Sequence, residues 1–162
     1  MEQLQGIAPT PTVGIRKDPS ASDIPYPRYM TPGAAGVDLH AVVDDAVIVR
    51  MGEIRKIPTG LFVEIPQGFE GQVRARSGLS LEKGLALPNA PGTIDSDYRG
   101  EICVIVTCLS STPLVIRRGM RIAQLVICPV ARAIFEIRDT LTDTGRGRGG
   151  FGSTGTSRDD AR

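Results

Sequence analysis

The sequence is 162 residues long, with 41% apolar and 23% charged residues. This length and composition are typical of one folded domain with a hydrophobic core. The net charge of +1 argues against a nucleic-acid partner, because a surface that follows phosphates normally carries a basic excess. We therefore expect a small-molecule substrate rather than a polymer.

The three cysteines, Cys103, Cys108 and Cys128, lie in apolar runs without the paired spacing of a zinc site or a disulfide framework. We expect them to be reduced. The N-terminus has no basic stretch followed by an apolar one, and no later apolar run approaches the length of a membrane span. The sequence therefore predicts a cytoplasmic protein without a membrane partner.

Short runs rich in β-branched residues follow one another along most of the chain, and glycine, proline or aspartate separates nearly all of them. After a leader at residues 1–11, Val13 and Ile15 alternate as a short first strand. The further runs are residues 37–41, 46–49, 61–65, 71–75, 101–109, 114–116, 121–130 and 133–137. One helical turn, Ser77–Lys83, is expected, with Ser77 as its N-cap. The pattern predicts an all-β jelly roll, sandwich or barrel with one short helix.

The C-terminal segment differs in kind from the strand-rich part. Residues 145–155 are glycine-rich and hold Arg146, Arg148 and Phe151 among the glycines. We expect residues 142–162 to form a mobile arm beyond a β domain at residues 12–141. Guanidinium groups can bind phosphate oxygens and a ring can cover a base, which favours a lid over a nucleotide. An idle flexible tail would explain the glycines equally well.

Asp95 lies in the turn-rich segment 92–100, just before the apolar run 102–109. A carboxylate held rigidly there, close to Tyr98, would suit a general base that activates a water molecule. The alternative is that Asp95 and Asp97 only shape the turn through hydrogen bonds to the backbone.

Five short segments, in this order along the chain, resemble the motifs of the homotrimeric deoxyuridine triphosphatases, or dUTPases. They are AGVDL at 35–39, RSGL at 76–79, GTIDSDYRG at 92–100, GMRIAQL at 119–125 and RGRGGFGSTG at 146–155. The resemblance covers nearly the whole chain. It implies a jelly-roll-like homotrimer whose active sites are shared between subunits.

The resemblance also implies a reaction, the hydrolysis of dUTP to dUMP and pyrophosphate by water attack on the α-phosphorus, with Mg²⁺ bound to the triphosphate. Asp95 would orient and deprotonate the water, and Asp38 would hold the metal through water. A capping or salt-bridging role for Asp38 is equally open. The reaction would limit uracil in DNA and supply dUMP for thymidylate synthesis.

The substrate-binding residues that the resemblance implies form three groups. The uracil and the deoxyribose would lie against Asn89, Gly92, Thr93, Ile94, Tyr98 and Cys103. The phosphates would meet Arg76, Ser77, Gly78 and Gln124. The arm would close over the site, with Arg146 at the γ-phosphate, Phe151 over the uracil and Gly152 along the phosphates.

Two positions depart from the family pattern, and two other functions compete with this one. Met120 stands where the family commonly has Asp, and Cys103 where it often has a longer polar side chain. A dCTP deaminase of the same fold would need a glutamate facing the cytosine, and the hairpin at residues 89–98 holds none. A non-catalytic binding module would have no use for Asp95 as a water-activating carboxylate. We therefore expect a dUTP diphosphatase.

Overall fold

A computed structural model describes residues 10–150 of the chain. The helix and the named strands all lie within residues 14–129 of the described part. Their order is β1 (Gly14–Lys17), β2 (Val37–His40), β3 (Val47–Val49), β4 (Ile54–Glu64), β5 (Phe69–Ala75), α1 (Ser77–Lys83), β6 (Leu85–Ala86), β7 (Gly92–Ile94), β8 (Glu101–Cys108), β9 (Leu114–Ile116) and β10 (Arg121–Pro129). A 3-10 turn at Pro19–Ala21 follows β1. The chain divides into two compact units, residues 1–131 and 132–162, and these elements belong to the first.

The strands form three sheets in which every pair of named strands is antiparallel. One sheet has the order β1-β4-β8-β6, the second has the order β2-β10-β5-β7, and the third pairs β3 with β9. Neighbours in a sheet are mostly distant in sequence, so the chain crosses between sheets repeatedly. This architecture, with its one short helix, confirms the predicted all-β, jelly-roll-like fold.

Strand β8 shows how the sequence builds the core. Ile102, Val104, Val106 and Cys108 are fully buried, whereas the residues between them are half-buried on the opposite face. The strict alternation of the apolar positions matches the period of a strand with one face toward the core. The core continues through Ile57 of β4 and through Leu39, Ile122 and Leu125 of the second sheet.

The second sheet determines where the polar residues of the motifs lie. Gln124 of β10 pairs with Asp38 of β2 on one side and with Arg74 of β5 on the other. On the far edge of β5, Gly71 pairs with Ile94 of β7. Residues from three of the predicted motifs are therefore ordered across a single sheet, and the second motif begins directly after β5.

Three local predictions differ from the structure. Strand β4 begins at Ile54 rather than near residue 61, and it continues through a register shift between Pro58 and Leu61. The helix has the predicted bounds, but Arg76 occupies the N-cap position without a side-chain hydrogen bond, so the expected capping by Ser77 is wrong.

The predicted strand at residues 133–137 is not formed in the structure. Within the second unit, the side chains of Ile134, Phe135 and Ile137 are 97%, 93% and 100% exposed. Strand-forming residues without a pairing partner gain nothing from an extended ladder. Over the described residues 10–150, no helix has the length and apolarity that crossing a membrane requires.

We predict that Ile102→Ala lowers the free energy of unfolding by roughly 2–5 kcal/mol, because the lost side chain leaves a cavity in the centre of the core. The matched change Ile54→Ala, at a residue that is 61% exposed, should lower it by less than about 1 kcal/mol. Urea denaturation of both variants at one protein concentration measures the difference. Equal losses would contradict this description of the core.

Candidate active site

The first candidate site is a cavity of about 260 Å³ between β7, the turn after it, and strands β4 and β8. We call it the hairpin pocket. Its lining residues are Lys56, Val73, Asn89, Gly92, Thr93, Ile94, Asp95, Tyr98, Glu101, Cys103 and Ile105. Apart from Phe151 of the arm, every residue that the sequence predicts for base, sugar and water contacts lines this one cavity.

The turn that carries Asp95 is held by its own hydrogen bonds. The backbone N–H of Tyr98 donates to the carbonyl oxygen of Asp95 at 3.1 Å, which closes the turn. The Tyr98 hydroxyl donates to the carbonyl oxygen of Glu101 at 2.9 Å, which fixes the ring across the start of β8. Asp95 itself is exposed. A fixed backbone with an exposed carboxylate suits a base that acts on a bound water.

Two glycines allow the close packing of this hairpin. A Cβ atom added to Gly100 would come within 2.9 Å of Cε2 of Tyr98, and closer still to its Cζ and hydroxyl. At Gly92, a Cβ would lie 3.1 Å from Nδ2 of Asn89. The side chains of Tyr98 and Asn89, which line the pocket, therefore pack directly on glycine backbone.

The second candidate site is a more open cavity of about 480 Å³ between β2, β10 and the start of α1. We call it the arginine pocket. Its lining residues are Met30, Gly36, Asp38, Arg76, Ser77, Gly78, Leu79, Glu82, Arg121 and Gln124. The residues that the sequence predicts for phosphate and metal contacts, apart from those of the arm, all line this cavity.

Asp38 organises the charges of the arginine pocket. Its Oδ1 lies 2.9 Å from Nε of Arg76, and its Oδ2 lies 3.2 Å from Nη1 of Arg121. The guanidinium of Arg76 also donates from Nη1 to the carbonyl oxygen of Arg121 at 3.2 Å. Gln124 donates from Nε2 to the carbonyl oxygen of Ala75 at 3.1 Å, which leaves its amide oxygen available. The cluster of Asp38, Arg76 and Arg121 carries a net charge of +1, which suits an anion. Glu82 also lines the pocket and brings the formal sum of the lining charges to zero.

His40 borders the arginine pocket without lining it. Burial lowers the pKa of His40, while the nearby Asp38 raises it and Arg121 lowers it further. The lowered pKa keeps the imidazole neutral at pH 7. No three His, Cys, Asp or Glu side chains converge as a metal-binding group anywhere in residues 10–150.

The two pockets of one chain share no residue. Asp38 and Ile94 lie on the two edge strands of one sheet, and Arg74 and Gly71 mark their positions along β5. Strand spacing and rise per residue place their Cα atoms about 17 Å apart. A single reacting phosphate cannot be within hydrogen-bond reach of both pockets of the same chain.

Comparison with known proteins identifies the family. The dUTPase family model matches residues 22–155. The chain belongs to the dUTPase family. The deoxyuridine 5'-triphosphate nucleotidohydrolase of Methylocella silvestris is 50% identical over 148 residues, which cover 90% of this chain and 92% of that relative. The family resemblance of the five motifs and the prediction of an enzyme are thereby confirmed.

Solved structures of phage dUTPases share the fold. The Staphylococcus bacteriophage 80alpha dUTPase with dUPNHPP has a TM-score of 0.75 and 23% identity, over 90% of this chain and 99% of that one. A mutant dUTPase from phage phi11 of S. aureus, with a structural Mg(II) ion, has a TM-score of 0.71 and 21% identity, over 82% of this chain and 99% of that one. Identity at this level establishes the fold alone.

The arm residues are the part of the predicted site that neither pocket contains. Within the second unit, Nε of Arg146 donates to the carbonyl oxygen of Gly149 at 2.8 Å. Phe151 and Gly152 lie outside the described residues. The roles of the predicted site residues, including these three, stay predictions.

Several residues that line the two pockets were not among the predicted site residues, and the charged ones include Arg121, Glu101 and Lys56. Arg121 lies inside the fourth motif, so its charge and its position in a motif could have indicated a phosphate-binding residue. Glu101 follows the third motif directly, and its Oε1 accepts hydrogen bonds from the backbone N–H groups of Thr59 and Gly60 at 3.1 and 2.7 Å. Lys56 lies in no motif and carries no sequence signal.

We predict that Gly100→Ala displaces the Tyr98 ring and lowers the free energy of unfolding by about 1–3 kcal/mol, because the added methyl group overlaps the ring. Gly33→Ala is the control, since a Cβ there has no atom within 4 Å. The chain has 3 tyrosines, so NMR of labelled tyrosine rings resolves a shift at Tyr98, and urea denaturation measures stability. An unmoved Tyr98 resonance in Gly100→Ala would contradict the packing described.

Proposed function

We propose that this protein hydrolyses dUTP to dUMP and pyrophosphate. The observation that carries the proposal is the hairpin pocket, where Asp95, Asn89 and Tyr98 line one cavity with the backbone of β7. Membership of the dUTPase family and the name of the Methylocella silvestris relative support the same reaction. The 80alpha dUTPase, which shares the fold, takes the nucleotide dUPNHPP.

Base selection follows from the main chain of the hairpin. Asn89 offers a donor and an acceptor, and the backbone groups of Gly92–Ile94 supply further partners for a uracil edge. A narrow pocket of this kind excludes the 5-methyl group of thymine by overlap, and it meets the amino group of cytosine with the wrong partner. Tyr98 packs under the deoxyribose and leaves no room for a 2′-hydroxyl. Cys103 contacts the nucleotide through its main chain.

Catalysis divides between the two pockets. Asp95 orients and deprotonates the water that attacks the α-phosphorus, and the pyrophosphate leaves without a covalent enzyme intermediate. Arg76, with Ser77 and Gly78, holds the phosphate oxygens, and Gln124 adds a neutral hydrogen bond from the middle of β10. Arg121 contributes a second guanidinium beside Arg76.

A complete site requires more than one copy of the chain. Because the Cα atoms of Asp38 and Ile94 lie about 17 Å apart in one chain, a site that uses both pockets would combine the hairpin pocket of one copy with the arginine pocket of another. The exposed apolar side chains of Ile134, Phe135 and Ile137 supply a surface that a neighbouring copy would cover. We propose a homotrimer with three nucleotide sites. Each site is shared between subunits and is closed by an arm.

Magnesium fits this arrangement as a metal carried mainly by the substrate. Mg²⁺ is commonly bound through one or two carboxylates together with substrate phosphates and water. Asp38 is the carboxylate beside the arginines, and each of its oxygens keeps a lone pair beyond the guanidinium contacts. The phi11 dUTPase holds a structural Mg(II) ion. Asp38 would hold the metal through water, and the metal would neutralise charge on the triphosphate.

We also propose limits for the β domain and a role for the arm. We assign residues 1–11 to a leader, residues 12–141 to the β domain and residues 142–162 to the arm. In the arm, Arg146 meets the γ-phosphate, Phe151 covers the uracil and Gly152 follows the phosphates. Ordering a glycine-rich segment costs conformational entropy, so closure depends on the bound nucleotide.

The proposed reaction would limit uracil in DNA and supply dUMP for thymidylate synthesis, and we propose that the protein acts in the cytoplasm. The sulfur atoms of Cys103, Cys108 and Cys128 form no disulfide with one another, as expected in a reducing compartment. Neither a nucleic acid nor a membrane takes part in the proposed reaction.

Pyrophosphate release from dUTP, dCTP, dTTP and UTP tests the substrate. We expect kcat/KM for dUTP to exceed the other values by at least about 100-fold, because each wrong nucleotide overlaps the pocket or leaves a buried polar group unpaired. Ammonia release from dCTP would instead indicate a deaminase. Binding of dUTP without turnover would indicate a non-catalytic module.

Asp95→Asn should reduce kcat by roughly 10²–10⁴-fold with little change in nucleotide affinity, because the amide keeps the shape and loses the base. Asp97→Asn is the matched control in the same turn, since Asp97 does not line the hairpin pocket. It should keep most of the turnover. Pre-steady-state hydrolysis and dUTP binding are measured on both variants. Near-normal turnover by Asp95→Asn would rule out its role as the base.

A chain that ends after Asp143 should lose most of its turnover, by roughly 10²-fold or more, while it keeps the trimer. A chain that ends after Gly155 retains the fifth motif and should stay active. Sedimentation measures the assembly, and pyrophosphate release measures activity. Normal hydrolysis by the shorter chain would show that the arm does not act as a lid.

A further inference from the structure

Lys56 lines the hairpin pocket from a strand that carries none of the motifs. It lies in β4, opposite Ile105 of β8 in the antiparallel register. Residues at alternate positions of β8 share one face, so Cys103 and Glu101 point to the same side as Ile105. Lys56, the partner of Ile105, points to that side as well. Those three residues of β8 also line the hairpin pocket, so the Lys56 side chain faces the same cavity as Asp95 and Tyr98.

The charges of the pocket give this ammonium group its significance. Asp95 and Glu101 contribute two carboxylates, and Lys56 is the cation among the lining residues that the structure describes. Within residues 10–150, no salt bridge joins Lys56 to a carboxylate. Without Lys56, two carboxylates would repel an incoming nucleotide phosphate.

The neighbours of Lys56 leave its ammonium available. Glu101 is occupied, because one of its oxygens accepts from the backbone N–H groups of Thr59 and Gly60. Burial raises the pKa of the Cys103 thiol, Glu101 raises it further, and Lys56 lowers it. The thiol therefore stays neutral at pH 7 and does not act as a counter-ion. The short side chain of Cys103 also leaves space above β8 that a longer residue would fill.

We propose that Lys56 is a substrate-binding residue whose ammonium contacts the α-phosphate of the nucleotide in the hairpin pocket. The α-phosphate is the anionic group closest to Asp95 in the proposed reaction, and an ammonium is a compact partner for a phosphate oxygen. The inference rests on the proposed function, because it names a further determinant of the same site. Lys56 offsets the repulsion between the general base and the phosphate that it must approach.

The test compares dUMP, which carries the α-phosphate, with deoxyuridine, which lacks it. Dissociation constants of the full chain are measured by calorimetry for wild type, Lys56→Met and Lys56→Arg. We expect Lys56→Met to weaken dUMP roughly 5-fold and to change deoxyuridine by less than about 2-fold. Lys56→Arg should restore most of the dUMP affinity, and added salt should reduce the difference between wild type and Lys56→Met.

Lys83→Met is the matched control, because it removes the same charge from a residue that lines neither pocket. Its dUMP affinity should equal that of wild type. The inference is overturned if Lys56→Met weakens dUMP and deoxyuridine equally, or if it leaves dUMP binding unchanged. It is also overturned if Lys56→Met fails to assemble or fold and Lys56→Arg does not restore dUMP binding. A wild-type chain that binds neither ligand would instead contradict the proposed function.

Discussion

The antiparallel pairing of β5, with β10 along one edge and β7 along the other, is the constraint on which the site depends. It fixes Asp38, Gln124 and the start of α1 at one end of the sheet, and the turn with Asp95 at the other. Because the backbone hydrogen bonds of a sheet hold neighbouring strands at a constant spacing, the two pockets cannot approach each other within a chain. The sheet that builds both halves of the site therefore also keeps them apart, and assembly of several copies is what would join them.

Each half of the site is prepared for a different task. The arginine pocket concentrates charge: one carboxylate, Asp38, holds Arg76 and Arg121 side by side. Without this carboxylate, two guanidinium groups at such short range would repel each other. The anion thus positions the cations before a phosphate arrives, and the phosphate adds favourable contacts without first having to order the side chains.

The hairpin pocket is instead prepared by close backbone packing. The Tyr98 ring lies against Gly100 and is tied to the carbonyl oxygen of Glu101, while Asn89 packs on Gly92. Rigid placement of the ring and of the β7 backbone gives the pocket a fixed width, which is what discrimination by shape requires. Lys56 is the one cation among the described residues that line this pocket, so its ammonium has a large influence on how an anion enters.

The sequence by itself determined the local parts of this protein. The β8 alternation, the bounds of α1 and the motif residues around Asp95 and Arg76 are encoded by neighbouring residues, since turn chemistry and strand period act over a few positions. The sequence could not predict that β4 continues through Pro58 or that residues 133–137 form no strand. Each outcome depends on whether a distant segment is available as a pairing partner. Only the tertiary structure decided that the motifs divide between two pockets and that Lys56 enters one of them. Strand register brings these residues together, and register is set by packing between segments far apart in the chain.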